Sequence, residues 1–237
     1  PPLQRETGDE RFVPIEKIFD ADIVTLHVPL TKTGPDATYH MVDDRFIARL
    51  KEGTILLNTS RGAVADNRAL LRGIESGPLG SLVLDVFEGE PNIDTALVEQ
   101  TDLATPHIAG YSYDGKVTGT AMVYRAACEH FGAPIEWDPA TAMPPHQYAG
   151  LTFPSWLDDE DALRALIQPL YDIEYDDAAL REIVNLAAAE RGPYFDKLRK
   201  DYGVRREFQN TTVKVPPGRE ALRKKIAGLG FRVSPVV

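Results

Sequence analysis

The feature that most constrains the fold is an alternation in which stretches with helical spacing repeatedly give way to apolar runs of strand length. Pro14-Ile15-Glu16-Lys17-Ile18-Phe19 has a helix-start proline and apolar positions at helical spacing, and the β-branched run Ile23-Val24-Thr25-Leu26 follows it. Asp43-Asp44 predicts a capped helix through Leu50, ended by Gly53, before a strand over Thr54 to Leu57. Asp66 predicts the cap of a helix to Ser76, ahead of a strand within Ser81 to Val86, and Asp102 to Ala104 reads as one more strand. Short apolar strands separated by helices indicate an α/β chain with a parallel, doubly wound sheet, whose ligands bind at the carboxyl ends of the strands.

Beyond Tyr111 the pattern changes. Gly115 to Phe131 reads as a longer helix in which Val117, Ala121, Val123, Tyr124, Ala127 and Cys128 share helical faces, so Cys128 is expected in the core. Pro134, Pro139, Pro144 and Pro145 then interrupt any helix between Ala133 and Tyr148, which reads as a linker. After it come expected helices at Asp158 to Leu170, Asp176 to Arg191 and Phe195 to Tyr202, a strand at Phe208 to Val215, a helix at Pro217 to Ala227 and a strand at Gly230 to Val236. The expected domains are therefore 1–112, a partial nucleotide-binding unit; 113–148, a crossover helix and linker; and 149–237, a small α/β domain.

Charge narrows the function. With 26 basic against 36 acidic side chains the net charge is -10, which argues against a surface that tracks nucleic-acid phosphates and against an anionic membrane. The single cysteine forbids an intrachain disulfide and a thiolate zinc cage, and a reducing cytoplasm is the expected setting. No apolar stretch has the length of a membrane span.

Three short segments carry the chemistry. Asn58-Thr59-Ser60-Arg61-Gly62, Asp85-Val86-Phe87-Glu88-Gly89-Glu90-Pro91 and Thr105-Pro106-His107-Ile108-Ala109-Gly110-Tyr111 each follow a predicted strand, which puts an arginine, a carboxylate and a histidine at successive strand ends. Together they resemble the D-2-hydroxyacid dehydrogenase family, and the resemblance spans nearly the whole chain. It implies a Rossmann-like fold, NAD as cofactor and oxidation of a hydroxy acid. Such chemistry needs a grip on the carboxylate, a proton acceptor for the hydroxyl and a nicotinamide. Arg61 suits the first task, because a planar guanidinium holds a carboxylate by two parallel hydrogen bonds. His107 is the expected base, since imidazole titrates near neutrality, and Glu90 is expected on its other ring nitrogen. Glu88 is expected to be a solvated or local structural group.

By the same resemblance Asp85 contacts the cofactor near the carboxamide, with capping of the next turn as its structural alternative. Gly110 brings bare backbone to the cofactor, Tyr111 contacts substrate, and Thr59 and Ser60 line the cleft. Val28 in Leu26-His27-Val28-Pro29-Leu30 faces the nucleotide by backbone or apolar contact, standing where close relatives often carry threonine. His27 is expected to be structural and partly buried.

The G-x-G-x-x-G turn of a dinucleotide site, with an acid about 20 positions further on, is not in the sequence. The glycines at 77, 80, 228 and 230 read as helix ends or turns. The expectation is a piece of a longer protein, cut within the nucleotide domain just before Pro1-Pro2. The variant His-Ile-Ala-Gly-Tyr and the tail, with Phe195-Asp196-Lys197-Leu198-Arg199-Lys200 and Arg205-Arg206-Glu207, are most similar to a branch of the family in vitamin B6 synthesis. That branch implies a small phosphorylated hydroxy acid as substrate and a homodimer built through the tail. Lys197, Arg199, Lys200, Arg205 and Arg206 are the tail cations open to a phosphate role, with plain solvation of a basic helix as the competing reading. Other readings are a phosphoglycerate- or glyoxylate-type relative, and a non-catalytic fragment that dimerises or binds dinucleotide.

Overall fold

The structure is a computed structural model that describes residues 6–146 and 148–235. Pro1-Pro2, and the last residue of the strand expected to end at Val236, lie outside the described residues. Two compact units interleave along the chain: the first comprises 1–109 with 174–201, the second 110–173 with 202–237.

The first unit is built on four parallel strands in sequential order, β1 (Ile23–Leu26), β2 (Thr54–Asn58), β3 (Leu79–Leu84) and β4 (Leu103–Ala104). The helices between them are α1 (Asp44–Ile47), α2 (Asn67–Ser76) and α3 (Thr95–Gln100), and all three start on an aspartate side chain. Asp43 accepts from the Phe46 N–H, Asp66 from Arg68 and Ala69, and Asp94 from Ala96. Each cap satisfies donors that a helix start leaves unpaired, and the cap at Asp94 starts a helix beyond those expected from the sequence. The helix from Asp43 is a single turn and does not reach Leu50; Gly53, at φ 81, serves the turn into β2. Gly80 lies inside β3 and not in a turn, because a Cβ there would sit 2.8 Å from the Cα of Gly53.

Leu56, Leu70, Leu82, Leu84 and Leu97 form the centre of the core, joined by Leu180, Ile183 and Phe195 from the later segment. That segment holds α6 (Ile173–Arg181) and α7 (Ala188–Lys200), with α4 (Tyr113–Phe131) and α5 (Asp159–Ile167) preceding them in the second unit. It is fastened by polar bonds at the β4 edge. Asp177 Oδ1 accepts the Ala104 N–H at 2.7 Å, and Arg181 donates to the carbonyls of Val98 and Thr101 at 3.0 and 2.6 Å while pairing with Asp177. These contacts cover carbonyls at the end of α3 and a strand-edge donor at Ala104. Residues 174–201, expected with the C-terminal domain, thus pack into the first unit.

The second unit has its own core of Phe153, Leu166, Val213, Leu222, Ile226 and Phe231. Its sheet is parallel, in the order β5 (Gly150–Thr152), β6 (Thr212–Val215), β7 (Arg232–Pro235), with α8 (Glu220–Gly228) as the last crossover. Residues 208–210, expected to start a strand, form a helical turn instead. Cys128 is buried on α4 as expected. Asp114 in the first turn of α4 is 5% exposed and accepts from Arg206, the Glu207 N–H and the Asn210 amide. Burial alone would raise its pKa, but Arg206, the Glu207 N–H and Asn210 outweigh that and hold it down to about 2.

Candidate active site

The carboxyl ends of β2 and β3, with the turn that follows β4, assemble the candidate site within the first unit. After β2, buried Asn58 organises the turn: its Oδ1 accepts the N–H and hydroxyl of Ser60 at 3.1 and 2.9 Å, and its amide donates to the Arg61 carbonyl at 3.1 Å. No local signal in the sequence marks Asn58 for this role. Arg61 is exposed and donates to the Ser60 carbonyl at 2.6 Å. The turn presses on the next loop, because a Cβ on Gly62 would lie 2.0 Å from the carbonyl of Phe87. Only glycine permits that approach.

The loop after β3 supplies the carboxylates. Glu90 Oε1 accepts the Phe87 N–H at 2.8 Å, and Oε2 lies 2.7 Å from His107 Nδ1. The pair is partly shielded, with side chains 19% and 28% exposed. Glu88, expected to be solvated or locally structural, is bonded to His40 Nε2 at 2.7 Å.

The histidine turn after β4 is held by Asp85. His107 has φ 56, a left-handed conformation that costs a non-glycine residue about 1 kcal/mol or more, so its surroundings must enforce it. Its N–H bonds the carbonyls of Asp85 and Thr105 at 2.7 and 3.0 Å. The Asp85 carboxylate, 3% exposed, takes the Thr105 hydroxyl and the N–H groups of Ile108 and Ala109 at 2.7, 2.7 and 3.0 Å. Burial pushes the Asp85 carboxyl above its ordinary value, with those three bonds and the His107 charge opposing it. A carboxylate has about four acceptor positions, so the turn uses most of this one.

A cleft of about 520 Å³ opens at the ends of β1 and β2, lined by His27, Val28, Pro29, Thr59, Ser60 and Arg61 among others. It has the open, strand-end setting in which parallel α/β sheets hold nucleotides, and it joins three of the expected cofactor positions to the arginine. His27 departs from its expectation: it is exposed, bonds the Thr25 hydroxyl at 2.9 Å and lines this cleft. Gly110 and Tyr111 open the second unit, where nothing lies within 4 Å of a Cβ placed on Gly110, and Tyr111 packs against Tyr202 under the Lys116 ammonium. Among the tail cations, Lys197 pairs with Asp201, Arg205 stacks on Tyr171, and Arg206 is spent on Asp114.

A parallel sheet with an arginine, a carboxylate–histidine pair and an open cleft at its strand ends defines the class: a nucleotide-binding domain of the Rossmann type. The sequence profile described as "D-isomer specific 2-hydroxyacid dehydrogenase, NAD binding domain" matches residues 3–109. A second profile, a domain of unknown function (DUF3410), matches residues 142–230.

More particularly, the chain is 47% identical over 206 residues to erythronate-4-phosphate dehydrogenase of Salinibacter ruber, covering 85% of this chain and 53% of that protein. It is 40% identical over 232 residues to erythronate-4-phosphate dehydrogenase of Yersinia enterocolitica, covering 98% of this chain and 60% of the relative. The chain thus spans little more than half the length of these relatives. Among solved structures, a glyoxylate reductase from Paecilomyes thermophila aligns at 26% identity with a TM-score of 0.45, covering 60% of this chain and 42% of that one. Among the described residues no helix is long and apolar enough to cross a membrane.

Proposed function

We propose that the whole protein oxidises the C2 hydroxyl of 4-phospho-D-erythronate to 3-hydroxy-2-oxo-4-phosphooxybutanoate, with NAD, in pyridoxal phosphate biosynthesis. The observation that carries this reading is the 2.7 Å contact between Glu90 and His107 beside the Arg61 turn, in a chain whose relatives bear the name erythronate-4-phosphate dehydrogenase. With Nδ1 engaged by Glu90, Nε2 is the ring atom that takes the hydroxyl proton, and the carboxylate stabilises the imidazolium that results. Arg61 grips the substrate carboxylate and polarises the C2 oxygen. Val28, Thr59 and Ser60 line the cofactor cleft, Asp85 and Gly110 act at its histidine end, and Tyr111 contacts substrate. Bound NAD supplies the hydride acceptor. A homodimer formed through the tail and a cytoplasmic setting complete the proposal.

The test is an NADH-absorbance assay of the whole protein against phosphorylated and plain hydroxy acids. Turnover selective for 4-phosphoerythronate supports the reading. Preference for phosphoglycerate or glyoxylate moves the protein elsewhere in the family, and no turnover on the panel overturns the activity.

A further inference from the structure

The loop that carries Glu90 is gripped by two histidines. Glu90 meets His107, and two residues earlier Glu88 Oε1 meets His40 Nε2, each at 2.7 Å. His40 is joined to the site by more than its ring. Its own N–H donates to the carbonyl of Ala63 at 2.9 Å, two residues past Arg61, and Val42 repeats the bond to Val64 at 3.0 Å. Between Arg61 and Ala63, Gly62 rests on the Phe87 and Glu88 backbone, and the Asn67 amide reaches the Glu88 carbonyl at 3.5 Å. His40 therefore ties together the arginine turn and the carboxylate loop.

Two features separate this pair from an ordinary surface ion pair, which contributes little. Both side chains are about seven-tenths covered, with 29% and 30% exposure. His40 also sits at φ 48, an unfavourable backbone for histidine, with its ring stacked on Tyr39 at 4.0 Å and 14°. A strained residue persists where its surroundings over-determine it, and such residues gather at functional sites. Gly89, at φ 86, supplies the sharp bend that turns Glu88 and Glu90 to different partners.

We propose that His40 is a positioning residue of the reaction: through Glu88 it fixes the loop that presents Glu90 to His107 and keeps the Arg61 turn seated against it. Its kinetic consequence rests on the dehydrogenase reading above. Misplacing a catalytic pair by about 1 Å costs up to about 100-fold in rate, so His40→Ala and Glu88→Ala should each lower kcat about 10- to 100-fold. Acting through one contact, the double variant should be no slower than the slower single. The KM for the hydroxy acid should move less than about threefold, since neither residue is assigned to substrate. His40→Gln keeps an N–H donor near the place of Nε2 and should restore most of the rate.

The experiment measures kcat and KM for these variants in the whole protein, and the ring ¹⁵N shifts of His107 in the full chain by NMR. Wild type should show His107 protonated at Nδ1, His40→Ala a mixture of tautomers, and His40→Gln the wild-type state. A kcat for His40→Ala and Glu88→Ala within about twofold of wild type, or a His40→Gln no better than His40→Ala, overturns the proposal. Should His40→Ala not fold, Glu88→Ala carries the same test. If wild type turns over no hydroxy acid, the dehydrogenase reading has failed, and unchanged His107 tautomers in Glu88→Ala would then overturn the positioning role on their own.

Discussion

Replacing Glu90 by glutamine tests the dyad most sharply, because the carboxylate uses both oxygens and the amide has only one. In the protein as it stands, Oε1 accepts the buried Phe87 N–H at 2.8 Å and Oε2 takes the Nδ1–H of His107 at 2.7 Å. A glutamine must choose. Turned one way, its NH₂ confronts the Phe87 N–H and leaves that donor unsatisfied, at a cost of about 1–3 kcal/mol. Turned the other way, the amide oxygen keeps Phe87 and the NH₂ faces Nδ1, which must then accept. The second arrangement wins, and it moves the ring proton to Nε2, the atom that collects the substrate proton in the proposed reaction.

Loss of a correctly protonated base is worth about 10²- to 10⁴-fold, or about 3–5 kcal/mol of barrier, so kcat/KM for Glu90→Gln should fall by that amount in the whole protein. Oxidation and reduction should fall by the same factor at a given pH, because the overall equilibrium is unaltered. Stability should change by less than about 1 kcal/mol, since the Phe87 bond survives, whereas Glu90→Ala should lose about 1–3 kcal/mol more. Steady-state rates by NADH absorbance in both directions, with urea denaturation of each variant, supply the numbers. A Glu90→Gln protein that turns over within about threefold of wild type would refute the tautomer argument.

Other outcomes follow from single contacts. Gly62→Ala places a Cβ 2.0 Å from the Phe87 carbonyl, so the arginine turn must lift off its neighbour; turnover should drop at least about tenfold, and a fully active variant would show that the contact yields cheaply. Arg61→Lys retains the charge but not the fork, and should raise the KM for the hydroxy acid more than that for NAD; equal changes would speak against the carboxylate grip. Asp114 has a folded pKa of about 2 against an ordinary 3.8, so its contribution is present above pH 3.8 and is lost as pH falls toward 2. Acid titration of the second unit's near-UV circular dichroism should show a loss of about 2 kcal/mol over that window. Asp114→Asn should abolish that acid step and lower stability about 3–5 kcal/mol at neutral pH by stranding the largely covered Arg206, and an acid step that survives the substitution would place the titrating group elsewhere.

How legible the chain was depends on how far a role reaches along the sequence. Strand-end placement of Arg61, Glu90 and His107 could be read because each sits a few residues past a short run of strand length, and Asp43, Asp66 and Asp158 announced helix starts because a cap bonds its own neighbours. Long-range ties left no local trace. The segment 174–201 joins the first unit through Asp177 and Arg181, whose partners lie 73 to 83 residues away. The sequence reads as two helices, one ending at Arg191 and one starting at Phe195, yet α7 runs through Gly192-Pro193, where a Cβ on Gly192 would lie 2.6 Å from Asn92 Oδ1. β5 is three residues long, too few to carry a strand pattern in the sequence. His40 shows the same limit at the site itself. Its partner is 48 residues distant, so the sequence offers a lone histidine and a spare glutamate, and only the fold makes them one contact. The groups proposed to perform chemistry are legible by residue type at strand ends, whereas the groups proposed to aim them depend on tertiary pairing. It follows that sequence alone finds a candidate base and its carboxylate more readily than it finds what holds them in line.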